Sequence, residues 1–184
     1  MPDAENVEDE KDCILLFMTE EIMQKIEDYS NRSVDNLVQS MSPSQREYAR
    51  TKMSWVKKTS VSELKAYFGL MILRGAYQWS KMDVTKIWDE IPIFKATMSY
   101  RRFYFLNRFI AFDDKETRSA RWRMDRGAAV REIHEMWNDT LAKAVYVGKD
   151  ATIDEALYAD RGEISFKVYL PNKPAKYGLL FKVI

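Results

Sequence analysis

From Ser60 onward the apolar positions recur at intervals of three and four, so that Leu64, Tyr67, Phe68, Met71 and Ile72 fall on one wide helical face. Ser60 with Glu63 three residues later has the spacing of a capping box and sets the start of that helix. Gly69 and Gly75 lie inside it at a cost in propensity, which points to close approach of a neighbouring element. The same periodicity is weaker on either side. Thr19 is placed to cap a helix carrying Ile22, Met23 and Ile26, and the Ser- and Asn-rich stretch from Ser30 to Ser44 reads as loop broken by a short element. Val84, Ile87 and Trp88 form a short element closed by Pro92. After Ser99, the residues Phe103, Leu106, Asn107 and Ile110 share one side, with Arg101, Arg102 and Arg108 elsewhere, and Phe112-Asp113-Asp114 ends the run. Residues 115–126 read as a loop. A last helix over 126–147 carries Val130, Ile133, Trp137, Leu141 and Val145, with Gly148 as its terminator.

The period then changes from 3.6 to 2. Ile164, Phe166 and Val168 alternate with Ser165, Lys167 and Tyr169, the signature of a half-buried strand. Pro171 and Pro174 stop it because neither can donate a ladder hydrogen bond, and the apolar run Leu179 to Ile184 reads as the returning strand. With a strand starting at Ala151-Thr152-Ile153, the pattern predicts an α+β chain of about five helices followed by three strands. It divides into a helical domain over 13–148 and a sheet-forming unit over 149–184. A sheet that closes on an uncovered strand is expected to be the front of a larger fold.

Composition narrows the class. With 46% apolar and 13% aromatic residues in 184, the chain can build a full core. Residues 1–12 are the exception: six acids against Lys11, with almost nothing to bury, predict a disordered acidic tail. Twenty-nine Lys and Arg against 28 Asp and Glu give a net charge of +1, so any nucleic-acid binding has to come from local clustering. The single cysteine, Cys13, excludes an internal disulfide and a multi-cysteine zinc site, and suits a reducing compartment. No apolar run approaches the roughly 20 residues of a membrane span, so no membrane partner is expected. His134 is the only histidine and has no nucleophile motif near it, and no glycine-rich phosphate loop is present; these argue against triad and nucleotide-dependent chemistry.

Two stretches carry chemistry. In 115–126, Lys115, Arg118, Arg121, Arg123 and Arg126 interleave with Trp122, a mixture suited to phosphate neutralisation and base stacking. The same stretch also reads as a solvated loop whose Trp122 folds back on the core. Asp154 follows an apolar strand start; a charge there calls for a cation or a hydrogen-bond network, of which a divalent metal is one, or for simple solvent exposure.

Ile153-Asp154-Glu155, Arg161-Gly162, Tyr169-Leu170-Pro171-Asn172-Lys173-Pro174 and Lys176-Tyr177-Gly178 resemble, in order, the first catalytic-strand region of the piggyBac family of cut-and-paste DNA transposases. Leu64 to Gly75, Met98 to Phe103 and Phe109 to Asp114 resemble the helical segment that precedes it, so the similarity runs from about residue 60 onward. The resemblance implies a helical dimerisation and DNA-binding domain leading into a ribonuclease-H-like domain. Asp154 would be the first of three catalytic aspartates that hold Mg²⁺ for two-metal phosphoryl transfer. The DNA contacts expected are Arg118, Arg121, Arg123 and Arg126 of the basic stretch together with Arg161, Lys173 and Lys176 of the resembling motifs, and a homodimer and a nuclear location are expected with them. Asp160 and Glu163 depart from the family, which carries an aromatic and a basic residue there; both add negative charge beside the expected DNA surface. The alternative expectation is therefore a transposase-derived module that binds DNA or protein without catalysis.

Overall fold

The computed structural model describes residues 9–146, 148–160, 162, 164 and 166–183. Most of the expected acidic tail, together with Val147, Arg161, Glu163, Ser165 and Ile184, lies outside the described residues.

Helix α1 (Glu10–Phe17) is capped by Asp9, whose carboxylate accepts from the Asp12 backbone at 2.8 Å. The end of the expected tail is therefore helical, because the Asp9 cap satisfies a first-turn N–H that would otherwise lack a partner. Helix α2 (Glu20–Ser40) starts at Thr19 as expected but continues through the stretch predicted to be loop. Its buried positions Ile22, Met23, Ile26, Ser30 and Val34 keep helical spacing, and the polar members are used inside. Ser30 Oγ accepts from the Ala111 backbone at 3.0 Å. Asn31 pairs with Thr59 in both directions, its amide donating to the Thr59 carbonyl and its oxygen accepting from the Thr59 N–H. Helix α3 (Pro43–Lys52) begins with a full capping box of Ser42 and Gln45.

Helix α4 (Val61–Ala76) is the central element. Ser60 caps it through the Glu63 N–H, while the Glu63 carboxylate turns away to other partners. Leu64 packs with Ile22, Met23 and Ile26 of α2. Tyr67 and Leu70 pack in a second cluster with residues of α5 (Val84–Glu90), α6 (Pro92–Thr97) and α7 (Tyr100–Phe109), built on Ile87, Trp88, Phe94, Phe103 and Leu106. Its polar ends are satisfied: Trp88 Nε1 donates to the Met98 carbonyl at 2.8 Å, and Tyr67 donates its hydroxyl hydrogen to Asn107 at 3.0 Å. Helix α5 ends at Glu90, just before Pro92 as expected, and Pro92 also opens α6, since a first-turn proline loses no helical hydrogen bond. An added Cβ at Gly69 or Gly75 would meet nothing within 4 Å, so neither glycine makes room for a neighbour.

Residues 115–126 are not a loop. Helix α8 (Lys115–Trp122) is capped by Asp114 and followed by tight turns, and α9 (Arg131–Ala144) starts later and stops earlier than the sequence pattern suggests. The turns hold residues that periodicity alone assigns to α9, and Val145, not Gly148, caps its end. Among the described residues there are thus nine α-helices, where the pattern predicts about five.

Three strands follow: β1 (Asp154–Ala159), β2 (Val168–Tyr169) and β3 (Tyr177–Val183), in the antiparallel order β1-β3-β2. Among the described residues of the alternating stretch, Val168 and Tyr169 are strand, while the Ile164 N–H donates to the Gly162 carbonyl and the Lys167 N–H to that of Ile164. The β2-β3 connection, containing Pro171 and Pro174, is closed by Leu170 N–H donating to the Lys176 carbonyl at 2.7 Å, with Lys176 in the left-handed region at φ 54°. Gly178 is required by close approach: a Cβ there would overlap the Tyr158 carbonyl oxygen.

Candidate catalytic strand and nucleic-acid interface

Asp154 is the first residue of β1, facing Val183 of β3 in the register. It is exposed, and its Oδ1 accepts from the adjacent Glu155 N–H at 2.7 Å, an arrangement that leaves the rest of the carboxylate open. Alternation along the strand puts Asp154, Ala156 and Tyr158 on one face and Glu155 on the other, so the two acids do not converge. Lys173 reaches back from the β2-β3 connection to donate to the Glu155 carbonyl at 3.0 Å, which ties that connection to the start of β1. Lys176 stands exposed in the same connection. The face that carries Asp154 also carries Tyr158, 62% exposed and edge-on to Phe181, and the Tyr169–Tyr177 pair.

At the other candidate region, the structure separates the arginines that the sequence groups together. Asp113, only 2% exposed, lies just before α8. Arg118 Nε donates to both of its oxygens at 3.1 Å, and Arg121 Nη2 donates to Oδ2 at 2.7 Å. Arg121 also donates to the carbonyls of Asp114 at 2.8 Å and Ala128 at 2.9 Å and to Thr117 Oγ1 at 3.2 Å. Burial alone would raise the Asp113 carboxyl, but the hydrogen bonds from the two guanidinium groups outweigh it and hold it below the usual range. Arg123 and Arg126 are not in this clamp. Both are exposed, and the Arg126 guanidinium lies 3.7 Å from the centre of the Trp122 ring. Trp122, 39% exposed, neither folds into the core nor stands free.

A third charged knot has no counterpart in the sequence pattern. Arg102 is 4% exposed and spends all five donors: Nε and Nη2 on Glu63 at 2.8 and 2.6 Å, Nη1 on the carbonyls of Trp55 and Lys57, and Nη2 on that of Lys58. Periodicity places it off the apolar side of α7. Its partners lie 39 to 47 residues away, so no local signal announces them. Glu63, which burial would raise, is held low by Arg102 and Thr59. Lys25 and Tyr29 of α2 both donate to Glu132 of α9, joining the two helices. His134 sits beside Phe181 and its Nδ1 pairs with Asn138 at 3.2 Å, neither of them a nucleophile. No helix among the described residues is long and apolar enough to cross a membrane.

Residues 9–184 match the sequence family described as Transposase IS4. In structure the chain is similar to a piggyBac transposase solved by cryo-EM as a synaptic complex with hairpin DNA, with a TM-score of 0.84 and 28% identity over 96% of this chain. The match covers 36% of that protein, so the chain spans about a third of the length of its structural relative. Membership of this family implies divalent-metal chemistry in a complete transposase. The described residues do not make a metal site by themselves: Asp154 offers suitable hard oxygens, but no group of three or more His, Cys, Asp or Glu side chains converges anywhere among them. With the family matched over nearly its whole length and the fold shared with piggyBac transposase, the chain belongs to the IS4 transposase family and is piggyBac-like.

Proposed function

We propose that this chain is the DNA-holding and first catalytic-strand portion of a piggyBac-like cut-and-paste transposase. Asp154 contributes one of the carboxylates to a Mg²⁺-dependent phosphoryl-transfer site whose other ligands come from beyond this chain. The observation that carries the reading is the position of Asp154. It is an open carboxylate at the first residue of a strand, on a sheet that belongs with the helical unit to one matched stretch of the family. The likeness to a transposase bound to hairpin DNA supports DNA as the partner. Phosphate contacts would fall to exposed Arg123 and Arg126 near α8, and to exposed Lys176 with half-buried Lys173 beside β1. A ribonuclease-H-like completion of the sheet, homodimerisation through the helical unit and a nuclear location belong to the same proposal. Fluorescence anisotropy of the 184-residue chain on a hairpin-capped duplex, repeated across salt concentrations, tests the DNA partner. The expected result is binding whose log K falls linearly with log salt. Absence of binding at about 50 mM salt, where phosphate contacts are strong, would overturn it.

A further inference from the structure

The α8-α9 connection is closely hydrogen-bonded for an exposed turn. Met124 and Asp125 both donate to the Arg121 carbonyl, at 3.0 and 2.9 Å, and Ala128 donates to that of Asp125. Asp125 is gripped by Arg131 through Nε at 2.8 Å and Nη2 at 2.9 Å and also accepts from the Gly127 N–H. From the other side, Arg121 crosses the turn to the Ala128 carbonyl. The acids in and before the turn are thus committed. Asp113 is neutralised by Arg118 and Arg121, and Asp125 by Arg131. Within the turn itself two cations are left over: among the described residues no carboxylate pairs with Arg123 or Arg126, and Met124 between them is 93% exposed.

We infer that this turn is a prebuilt tip for a DNA phosphate backbone, gripped by Arg123 and by Arg126 stacked on Trp122. Arg118 and Arg121 serve as positioning residues that fix the tip through buried Asp113. The inference rests on the DNA-binding reading above and narrows it to a place. A guanidinium stacked on an indole keeps its in-plane N–H groups free for phosphate oxygens, and the stack limits the conformations it must give up on binding. The turn hydrogen bonds do the same for the backbone, so little ordering remains to be done when DNA arrives. Arg118 and Arg121 already direct donors at Asp113, and their removal would act through the turn.

The test uses the full chain on a fluorescein-labelled hairpin-capped duplex, with binding measured at several salt concentrations. Arg123→Ala with Arg126→Ala is expected to reduce the salt slope by about 1.8, two contacts at about 0.9 each. The melting temperature should stay unchanged, since both side chains are exposed. Lys58→Ala with Lys65→Ala removes the same charge from the surface around α4 and should leave the slope alone. Trp122→Ala should weaken binding several-fold with little change in slope, the mark of a lost support and not of a lost phosphate contact. If the wild-type chain binds and the Arg123/Arg126 variant keeps the wild-type slope, the tip is not the contact and this inference fails. If the wild-type chain does not bind at all, the DNA-binding reading itself falls.

Discussion

Arg102→Met is the substitution with the largest effect expected from this structure. The Arg102 side chain is buried and donates five hydrogen bonds, joining α7 to α4 through Glu63 and fixing the segment Trp55 to Lys58 through three carbonyls. Methionine fills similar volume, so packing loss is small and electrostatic loss dominates. Removing one partner of a buried ion pair leaves the other charge uncompensated, which costs about 3–5 kcal/mol. Glu63 retains some solvent access, so the low end applies: about 3 kcal/mol, or a fall in Tm of roughly 6–12 °C at this chain length. Urea and thermal unfolding followed by circular dichroism measure it. The double variant Arg102→Met with Glu63→Leu should recover part but not all of the loss, because the carbonyls of Trp55, Lys57 and Lys58 stay without donors. A loss under about 0.5 kcal/mol, the scale of an ordinary surface substitution, would show that the knot does not hold α7 to α4.

Further outcomes follow from the same geometry. Gly178→Ala forces a Cβ into the Tyr158 carbonyl, so amide exchange along β1 should rise sharply while α2, α4 and α7 stay protected; unchanged exchange at Leu157 and Tyr158 would contradict the close approach. Wild-type exchange should already be faster across β1–β3, where many side chains are exposed, than across α4, and equal protection of the two would count against a sheet that needs further cover. Glu63 and Asp113 are held below their ordinary values of 4.5 and 3.8, so their contribution to stability is whole above those values. It drains away as pH falls through the lower folded-state values. Melting temperature should therefore drop from about pH 5 downward, and by less in Glu63→Gln than in wild type. The isolated chain should not cleave duplex DNA with Mg²⁺ or Mn²⁺, since Asp154 supplies at most two of the six oxygens that octahedral Mg²⁺ takes; cleavage lost in Asp154→Ala would refute this.

Local signals are legible in this sequence and long-range ones are not. Thr19, Ser60 and Ser99 mark helix starts because a cap is a contact within three residues, and the β2-β3 connection is legible from Pro171 and Pro174. The run of Ser and Asn in α2 looks like loop because its use lies elsewhere in the chain: Ser30 serves Ala111, and Asn31 serves Thr59. Helix α8 is hidden for a similar reason. A stretch of arginines has no apolar face, and what holds it is Asp113 preceding it, a buried acid that reads in sequence as a helix-ending polar pair. Ser42-Pro43 with Gln45 is a local start signal for α3 that the surrounding Ser-rich composition masks. Gly178 is visible as part of a motif, but only the cross-strand approach of Tyr158 explains why it is glycine.

The role of Asp154 is tested most directly in a chimera in which residues 9–184 replace the matching stretch of the piggyBac transposase, with transposon excision as the readout. Asp154→Asn keeps the size and the strand and removes only the charge. The chimera with Asp154 should excise. Its Asp154→Asn counterpart should lose activity by at least about a thousandfold while binding transposon-end DNA as tightly as its parent. Equal excision by the two chimeras would show that this carboxylate does not take part in the chemistry.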